Sequence, residues 1–133
     1  MTMTSRSRFA AGPKVRFRPR LKAGELSQVE TRYESHLQLL KITGKIQDYW
    51  PHKFTWRLAN GTHYRADFLV LLPDGHLEIH ETKGGKKNKD TGEWQPFSEE
   101  DALLKVKWVA EQCPIPIKVA FEAGRNNWLH KEF

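Results

Sequence analysis

Two short apolar runs joined by a turn signal, within residues 64–84 (YRADFLVLLPDGHLEIHETKG), leave this chain few ways to fold. Branched and aromatic side chains in 68–72 and 77–79 are typical of strands, and the Pro-Asp-Gly between the runs favours a tight turn. With Gly75 in the left-handed conformation of a three-residue loop, Leu72 pairs with His76. The stretch is therefore predicted to be a β-hairpin with a defined register.

This register predicts that charged residues meet at the end of the hairpin away from the turn. Counting back from the turn places Asp67 opposite Glu81, and Lys83 lies on the same face. Two neighbouring carboxylates repel each other and lose hydration unless a cation lies between them, so the pattern indicates a divalent metal site. Oxygen ligands favour Mg²⁺ or Mn²⁺. The alternative is a surface hairpin whose ends carry solvated charges.

A helix is predicted over residues 27–43. Ser27 and Glu30 match a capping box, in which each side chain bonds the backbone of the other residue, and Gly44 supplies a stop signal. Apolar residues recur at helical spacing through this segment and give it one buried face. In a capping box Glu30 has a structural role and no chemistry.

The second half of the chain is predicted to complete an α/β fold. A helix over 98–113 begins with another capping-box pattern and ends before Pro114. The continuous apolar run 115–121 is typical of a buried strand that joins the sheet alongside the hairpin. The two helices are expected to lie apart, with the second on one face of the sheet and the first on the other face or at the sheet's end.

The segments around the hairpin complete the predicted order of elements. Residues 54–58 and 62–72 are predicted to be strands joined by an Asn-Gly turn, which makes a three-stranded antiparallel meander with the second run of the hairpin. Residues 46–50 are predicted to be a connection, 84–97 is predicted to be a mobile polar loop, and 122–133 shows no pattern.

Length and composition indicate one domain. A chain of 133 residues with 38% hydrophobic residues can bury a core, and no apolar run approaches the roughly 20 residues that span a bilayer. We therefore expect a soluble intracellular protein without a membrane partner.

Cys113 is the single cysteine, which excludes an intramolecular disulfide. His76 and His80 would lie roughly 13 Å apart on a strand, too far to share a zinc ion, so a ββα-metal nuclease is not expected.

The positive charge of the chain is concentrated near its beginning. The net charge is +6, but residues 1–23 hold seven basic and no acidic residues, which leaves fifteen basic and sixteen acidic residues elsewhere. We interpret residues 1–24 as a flexible basic arm whose partner is nucleic acid, although a solvated tail or a transit peptide would share this composition. The residues predicted to contact nucleic acid are Arg16, Arg18, Arg20, Lys22, Lys86, Lys87, Lys89, Lys105 and Lys107.

The pattern D-x13-E-x-K formed by Asp67, Glu81 and Lys83 resembles the catalytic core of the PD-(D/E)XK nuclease superfamily. The resemblance covers roughly residues 26–121. The chain is also similar to small phage endonucleases, such as endonuclease I-type Holliday junction resolvases and TnsA-like endonucleases. The shared features are a helix with an early glutamate, Y-x-x-D-F at a strand start, E-x-K-G at a strand end and a lysine-bearing helix. Ala66 departs from the proline in the superfamily's name. The resemblance implies a restriction-endonuclease-like core in residues 25–133, with element order αβββαβ.

The resemblance also implies a function: a Mg²⁺- or Mn²⁺-dependent endonuclease that hydrolyses phosphodiester bonds in DNA. Asp67 and Glu81 would bind the cation, the Thr82 carbonyl would complete its shell, and Lys83 would assist the attacking water. Glu30 would join them as a metal ligand rather than a capping residue, with Glu34 as the substitute if the helix is rotated. We further expect branched or nicked DNA as the substrate, a homodimer as the assembly, and a phage or mobile-element origin in a bacterial host. The alternatives are a non-catalytic DNA-binding or assembly protein on the same fold, and a ribonuclease.

Overall fold

The computed structural model of the chain describes residues 25–97 and 100–133 and has an α/β fold, in which two helices accompany a mixed sheet. The predicted arm, with Arg16, Arg18, Arg20 and Lys22, lies outside the described residues. In chain order the elements are α1 (Gln28–Ile42), β1 (Asp48–Pro51), β2 (Thr55–Ala59), β3 (Thr62–Arg65), β4 (Phe68–Leu71), β5 (Leu77–Lys87), β6 (Trp94–Phe97), α2 (Glu100–Gln112), β7 (Ile117–Glu122) and β8 (Trp128–Glu132).

Helix α1 begins where the sequence predicts. The Ser27 hydroxyl accepts a hydrogen bond from Glu30 N, and Glu30 Oε1 accepts one from Ser27 N, both at 3.2 Å, which closes the capping box. After the C-cap Thr43, Gly44 adopts a φ of 79°, a conformation that glycine adopts without strain. The first turn of α1, which carries Glu30, is therefore fixed by the sequence itself.

The β4–β5 hairpin has the predicted register. Phe68 pairs with His80, Leu72 N donates to His76 O at 2.8 Å, and Gly75 takes a φ of 92°. Continuing the Phe68–His80 register one residue beyond β4 brings Asp67 opposite Glu81.

The main sheet has its strands in the order β1-β4-β5-β7-β8, and β6 pairs with the far part of β5. Strand β7 lies beside β5, as predicted for the strand after the second helix, and the two run parallel, whereas the other pairs are antiparallel. Val119 and Ala120, consecutive in β7, pack in different cores: Val119 with residues of α2, and Ala120 with residues of α1. Because strand side chains alternate between faces, the two helices cover opposite faces of the sheet.

Several segments differ from the prediction. The predicted strand 62–72 is broken at Ala66 and Asp67, and within the described chain β3 pairs with β2 as a separate two-stranded sheet, so the three-stranded meander is wrong. Strand β1 overlaps the predicted connection 46–50 and pairs antiparallel with β4, so this segment is an edge strand of the sheet rather than a connection. The observed order of elements is therefore longer than αβββαβ.

The segment after Lys83 is a hairpin rather than a mobile loop. Strand β5 continues to Lys87 and pairs with β6, with Gly85 opposite Pro96. A Cβ atom on Gly85 would overlap the carbonyl oxygen of Glu122, lie 2.6 Å from its carbonyl carbon and lie 3.2 Å from Trp94 Cε3. Gly85 is therefore needed for a close approach to the end of β7 rather than for flexibility.

Two further features complete the fold. Strand β8 pairs with β7 across the C-terminal segment in which the sequence shows no pattern, and Trp128 packs beside Tyr33 of α1. Within residues 25–97 and 100–133, no helix is both long enough and apolar enough to cross a membrane.

Candidate metal centre

Asp67 lies in the break between β3 and β4, and its carboxylate is held by the neighbouring strand. Thr82 donates to Asp67 Oδ2 twice, from its backbone N at 2.8 Å and from its hydroxyl at 2.9 Å. The break in the predicted strand thus places a carboxylate where β5 can fix it. Thr82 therefore contributes two hydrogen-bond donors to the site. That its carbonyl binds a metal stays a prediction.

Glu81 lies on β5 and is fixed from two sides. The Tyr64 hydroxyl donates to Glu81 Oε1 at 2.8 Å, and Lys83 Nζ is 3.5 Å from Glu81 Oε2. Only about an eighth of the Glu81 side chain and a fifth of the Lys83 side chain are exposed. Burial, followed by the charge of Glu81, raises the pKa of Tyr64 far above its ordinary value, so Tyr64 stays a hydrogen-bond donor.

Glu30 is the capping residue of α1 and also lies at the candidate metal centre, while its role as a metal ligand stays a prediction. Its Oε1 closes the capping box and is also 2.9 Å from His52 Nε2. Its negative charge acts on both Asp67 and Glu81. Glu34, the substitute, accepts a hydrogen bond from the Tyr49 hydroxyl at 3.2 Å instead. The rotation of α1 therefore brings Glu30, and not Glu34, to the hairpin carboxylates.

The electrostatics of the site favour a bound cation. Burial, followed by the charge of Glu81, raises the pKa of Asp67 well above its usual range, and Glu30 adds to this effect. Burial also raises the pKa of Glu81, although Lys83 and Tyr64 act in the opposite direction. The ionised forms of Asp67 and Glu81 are therefore unfavourable in the site by itself, and the charge of a divalent cation would offset this cost.

The donor atoms fit such a cation. One donor atom from each of Glu30, His52 and Asp67 lies within 4.8 Å of the donors of the other two. Carboxylate oxygens are ligands for Mg²⁺ and Mn²⁺, and an imidazole nitrogen is a ligand for transition metals.

Comparisons of the chain with protein-family models, with curated proteins and with solved structures find no match. What the site can do is therefore inferred from its own residues.

The basic residues predicted to contact nucleic acid are surface residues wherever the structure describes them. Lys86 and Lys87 are exposed at the end of β5, beyond Lys83, and Lys89 is exposed in the turn that follows. Lys105 and Lys107 are exposed on α2. The lysines of β5 follow the carboxylate cluster along the same strand, and their contact with nucleic acid stays a prediction.

Sequence reasoning missed two residues of the site, His52 and Tyr64. Tyr64 was visible as the first residue of the Y-x-x-D-F pattern, but the broken strand between Tyr64 and Asp67 was needed to bring its hydroxyl to Glu81. His52 gives no local signal, because its place depends on the pairing of β1 with β4.

Proposed function

We propose that this protein is a metal-dependent DNA endonuclease that hydrolyses phosphodiester bonds in branched or nicked DNA. The observation that carries the proposal is the meeting of Glu30, Asp67 and Glu81 with Lys83 at one end of the β4–β5 hairpin. Carboxylate oxygens are ligands for a divalent cation, and a nearby ammonium group suits a reaction that builds negative charge on phosphate oxygens.

Asp67, Glu81 and Glu30 would hold the cation, with Thr82 and Tyr64 keeping the first two carboxylates in position. A divalent cation in this place supplies a water of lowered pKa and charge stabilisation at the phosphate. Lys83 Nζ, close to Glu81, can donate to the attacking water or to a phosphate oxygen. The protein's part is to fix these groups before the substrate arrives.

The fold and the charge distribution support the same proposal. A mixed sheet whose central strand β5 pairs antiparallel with β4 and parallel with β7, and which lies between two helices, is compatible with a restriction-endonuclease-like core. The basic segment before Gly24 and the exposed lysines beyond the site give DNA a place to bind.

The test is a cleavage assay with full-length protein on linear, nicked, four-way and single-stranded DNA and on RNA, with Mg²⁺, with Mn²⁺ and with EDTA. We expect cation-dependent cleavage of DNA, lost in Asp67→Asn and Glu81→Gln. Asp74→Asn is the matched control, because Asp74 is exposed in the hairpin turn far along β4 from the site.

The other outcomes identify the alternatives. DNA binding without cleavage under any of these conditions would favour a non-catalytic DNA-binding protein. Cleavage of RNA alone would favour a ribonuclease. Cleavage that survives EDTA or the Asp67→Asn substitution would exclude the metal site as the origin of the activity.

A further inference from the structure

His52 has a strained backbone. Its φ is 52°, and within the described ranges Asn126 is the only other non-glycine residue with positive φ. The left-handed conformation costs an L-residue roughly 1–2 kcal/mol, and strain of this kind is often found where a functional group must be held in place. His52 N donates to Asp67 O at 3.0 Å, so the strained residue is fastened directly to a carboxylate residue of the site.

The His52 ring is arranged as a metal-binding imidazole would be. Its side chain is nine-tenths buried, and Nε2 is 2.9 Å from Glu30 Oε1. Nδ1 is buried and has no hydrogen-bond partner among the described residues. If Nε2–H donates to Glu30, the lone pair on Nδ1 is unsatisfied, at a cost of about 1–3 kcal/mol. With the proton on Nδ1 instead, the Nε2 lone pair faces Glu30 Oε1, and a cation shared by these two atoms would remove the repulsion between them.

We propose that His52 is a ligand of the divalent cation, together with Glu30 and Asp67, and that its nitrogen makes the site prefer a transition-metal dication such as Mn²⁺ to Mg²⁺. The inference rests on the metal-dependent site proposed above. The donor atoms of the three residues lie within 4.8 Å of one another. Two ligands on opposite sides of one cation are about 4.2–4.6 Å apart, so small shifts would bring all three into one coordination sphere.

The preference follows from the nitrogen ligand. Mg²⁺ takes oxygen ligands almost exclusively, whereas imidazole suits transition metals, whose affinities rise along the series that begins with Mn²⁺. A site built from Glu30, Asp67 and Glu81 alone would discriminate less between Mn²⁺ and Mg²⁺. The sequence by itself leaves both ions open, and His52 decides between them.

The direct test is pulsed EPR of Mn²⁺ bound to the full-length protein. We expect modulation from a directly bound ¹⁴N nucleus in the wild-type protein and in His63→Asn, and its absence in His52→Asn. Asparagine tolerates positive φ, so His52→Asn changes the ligand with little change to the backbone. His63 is exposed on β3 and serves as the matched control. Wild-type protein that binds Mn²⁺ without nitrogen modulation would overturn the assignment.

Calorimetry with Mn²⁺ and with Mg²⁺ gives the second readout. We expect His52→Asn to lower the Mn²⁺ affinity about 10–100-fold. The Mg²⁺ affinity should fall about threefold or less. Equal losses for the two ions would contradict the proposed selectivity, and urea unfolding of both variants in EDTA would show whether lost folding is the cause.

The two proposals fail separately. Nitrogen-bound Mn²⁺ in a protein that cleaves no nucleic acid would leave His52 as a ligand and remove the nuclease function. Cation-dependent cleavage in a protein whose Mn²⁺ shows no nitrogen modulation would leave the nuclease and remove His52 from the coordination shell.

Discussion

Replacing Asp67 with asparagine should stabilise the metal-free protein while abolishing its activity. The substitution removes one negative charge and keeps an oxygen that can accept the two hydrogen bonds from Thr82, now at 2.8 and 2.9 Å. The charge it removes is unfavourable in the absence of a cation, because burial and the charge of Glu81 both oppose it. Stability and function are therefore expected to change in opposite directions.

The size of the gain follows from the raised pKa of Asp67. Each unit by which folding raises a pKa costs about 1.4 kcal/mol once the pH is above the folded value. We expect Asp67→Asn to gain about 1–3 kcal/mol near pH 8, since rearrangement of the site reduces the full cost. The neutral form is the one favoured on folding, so the wild-type protein loses stability as pH rises from about 4 through the folded pKa. The gain should therefore be small near pH 4 and largest near pH 8.

Urea unfolding in EDTA at several pH values measures this difference, and repeating it with Mn²⁺ near pH 8 should reverse the order. We expect only the wild-type protein to bind the cation tightly and to gain the linkage free energy of binding. Asp74→Asn is the control: Asp74 is exposed and its hydrogen bonds to His76 lower its pKa, so its replacement should give no gain. An Asp67→Asn protein less stable than wild type near pH 8 in EDTA would show that the carboxylate is not repelled as argued.

Three other perturbations test separate parts of the molecule. Lys83→Ala should keep Mn²⁺ binding in calorimetry and lose cleavage, since Nζ acts on water or phosphate. The control Lys45→Ala, at an exposed position, should lose neither. Lost cation affinity in Lys83→Ala would refute the separation of metal binding from the role of Lys83. Gly85→Ala should cost about 3 kcal/mol or more in urea unfolding because its Cβ would overlap Glu122, while Gly84→Ala, whose Cβ would be 3.9 Å from Phe97 Cβ, should cost about 1 kcal/mol or less; equal losses would show that the close approach is absent. Deleting residues 2–22 should flatten the dependence of log K on log salt by about 0.9 for each phosphate that the arm neutralises, with cleavage retained at saturating protein; an unchanged slope would assign the DNA-binding surface to the lysines after Lys83.

The parts of the fold that could be predicted are those specified by neighbouring residues. The turn around Gly75 fixes the hairpin register within a few residues, and the capping box of Ser27 and Glu30 fixes the start of α1. The pairing of β1 with β4 joins residues about twenty positions apart, and the four residues of β1 show no alternation of burial, so no local signal could reveal it. The hairpin after Lys83 was not predicted for a different reason. In the sequence Gly85 indicates a flexible loop, whereas in the structure it is needed because a side chain there would overlap Glu122.

The candidate site shows the same division between local and distant information. Asp67, Glu81 and Lys83 could be placed from the hairpin alone, whereas the position of Glu30 needed the packing of α1 and that of His52 needed the pairing of β1. The capping and site roles of Glu30 looked exclusive in sequence, since each explains the residue completely. In the structure one oxygen makes both contacts, accepting from Ser27 N and lying 2.9 Å from His52 Nε2, so the two roles are compatible. The helix start is thereby part of the site: the same bond that begins α1 fixes the carboxylate that His52 and Asp67 approach.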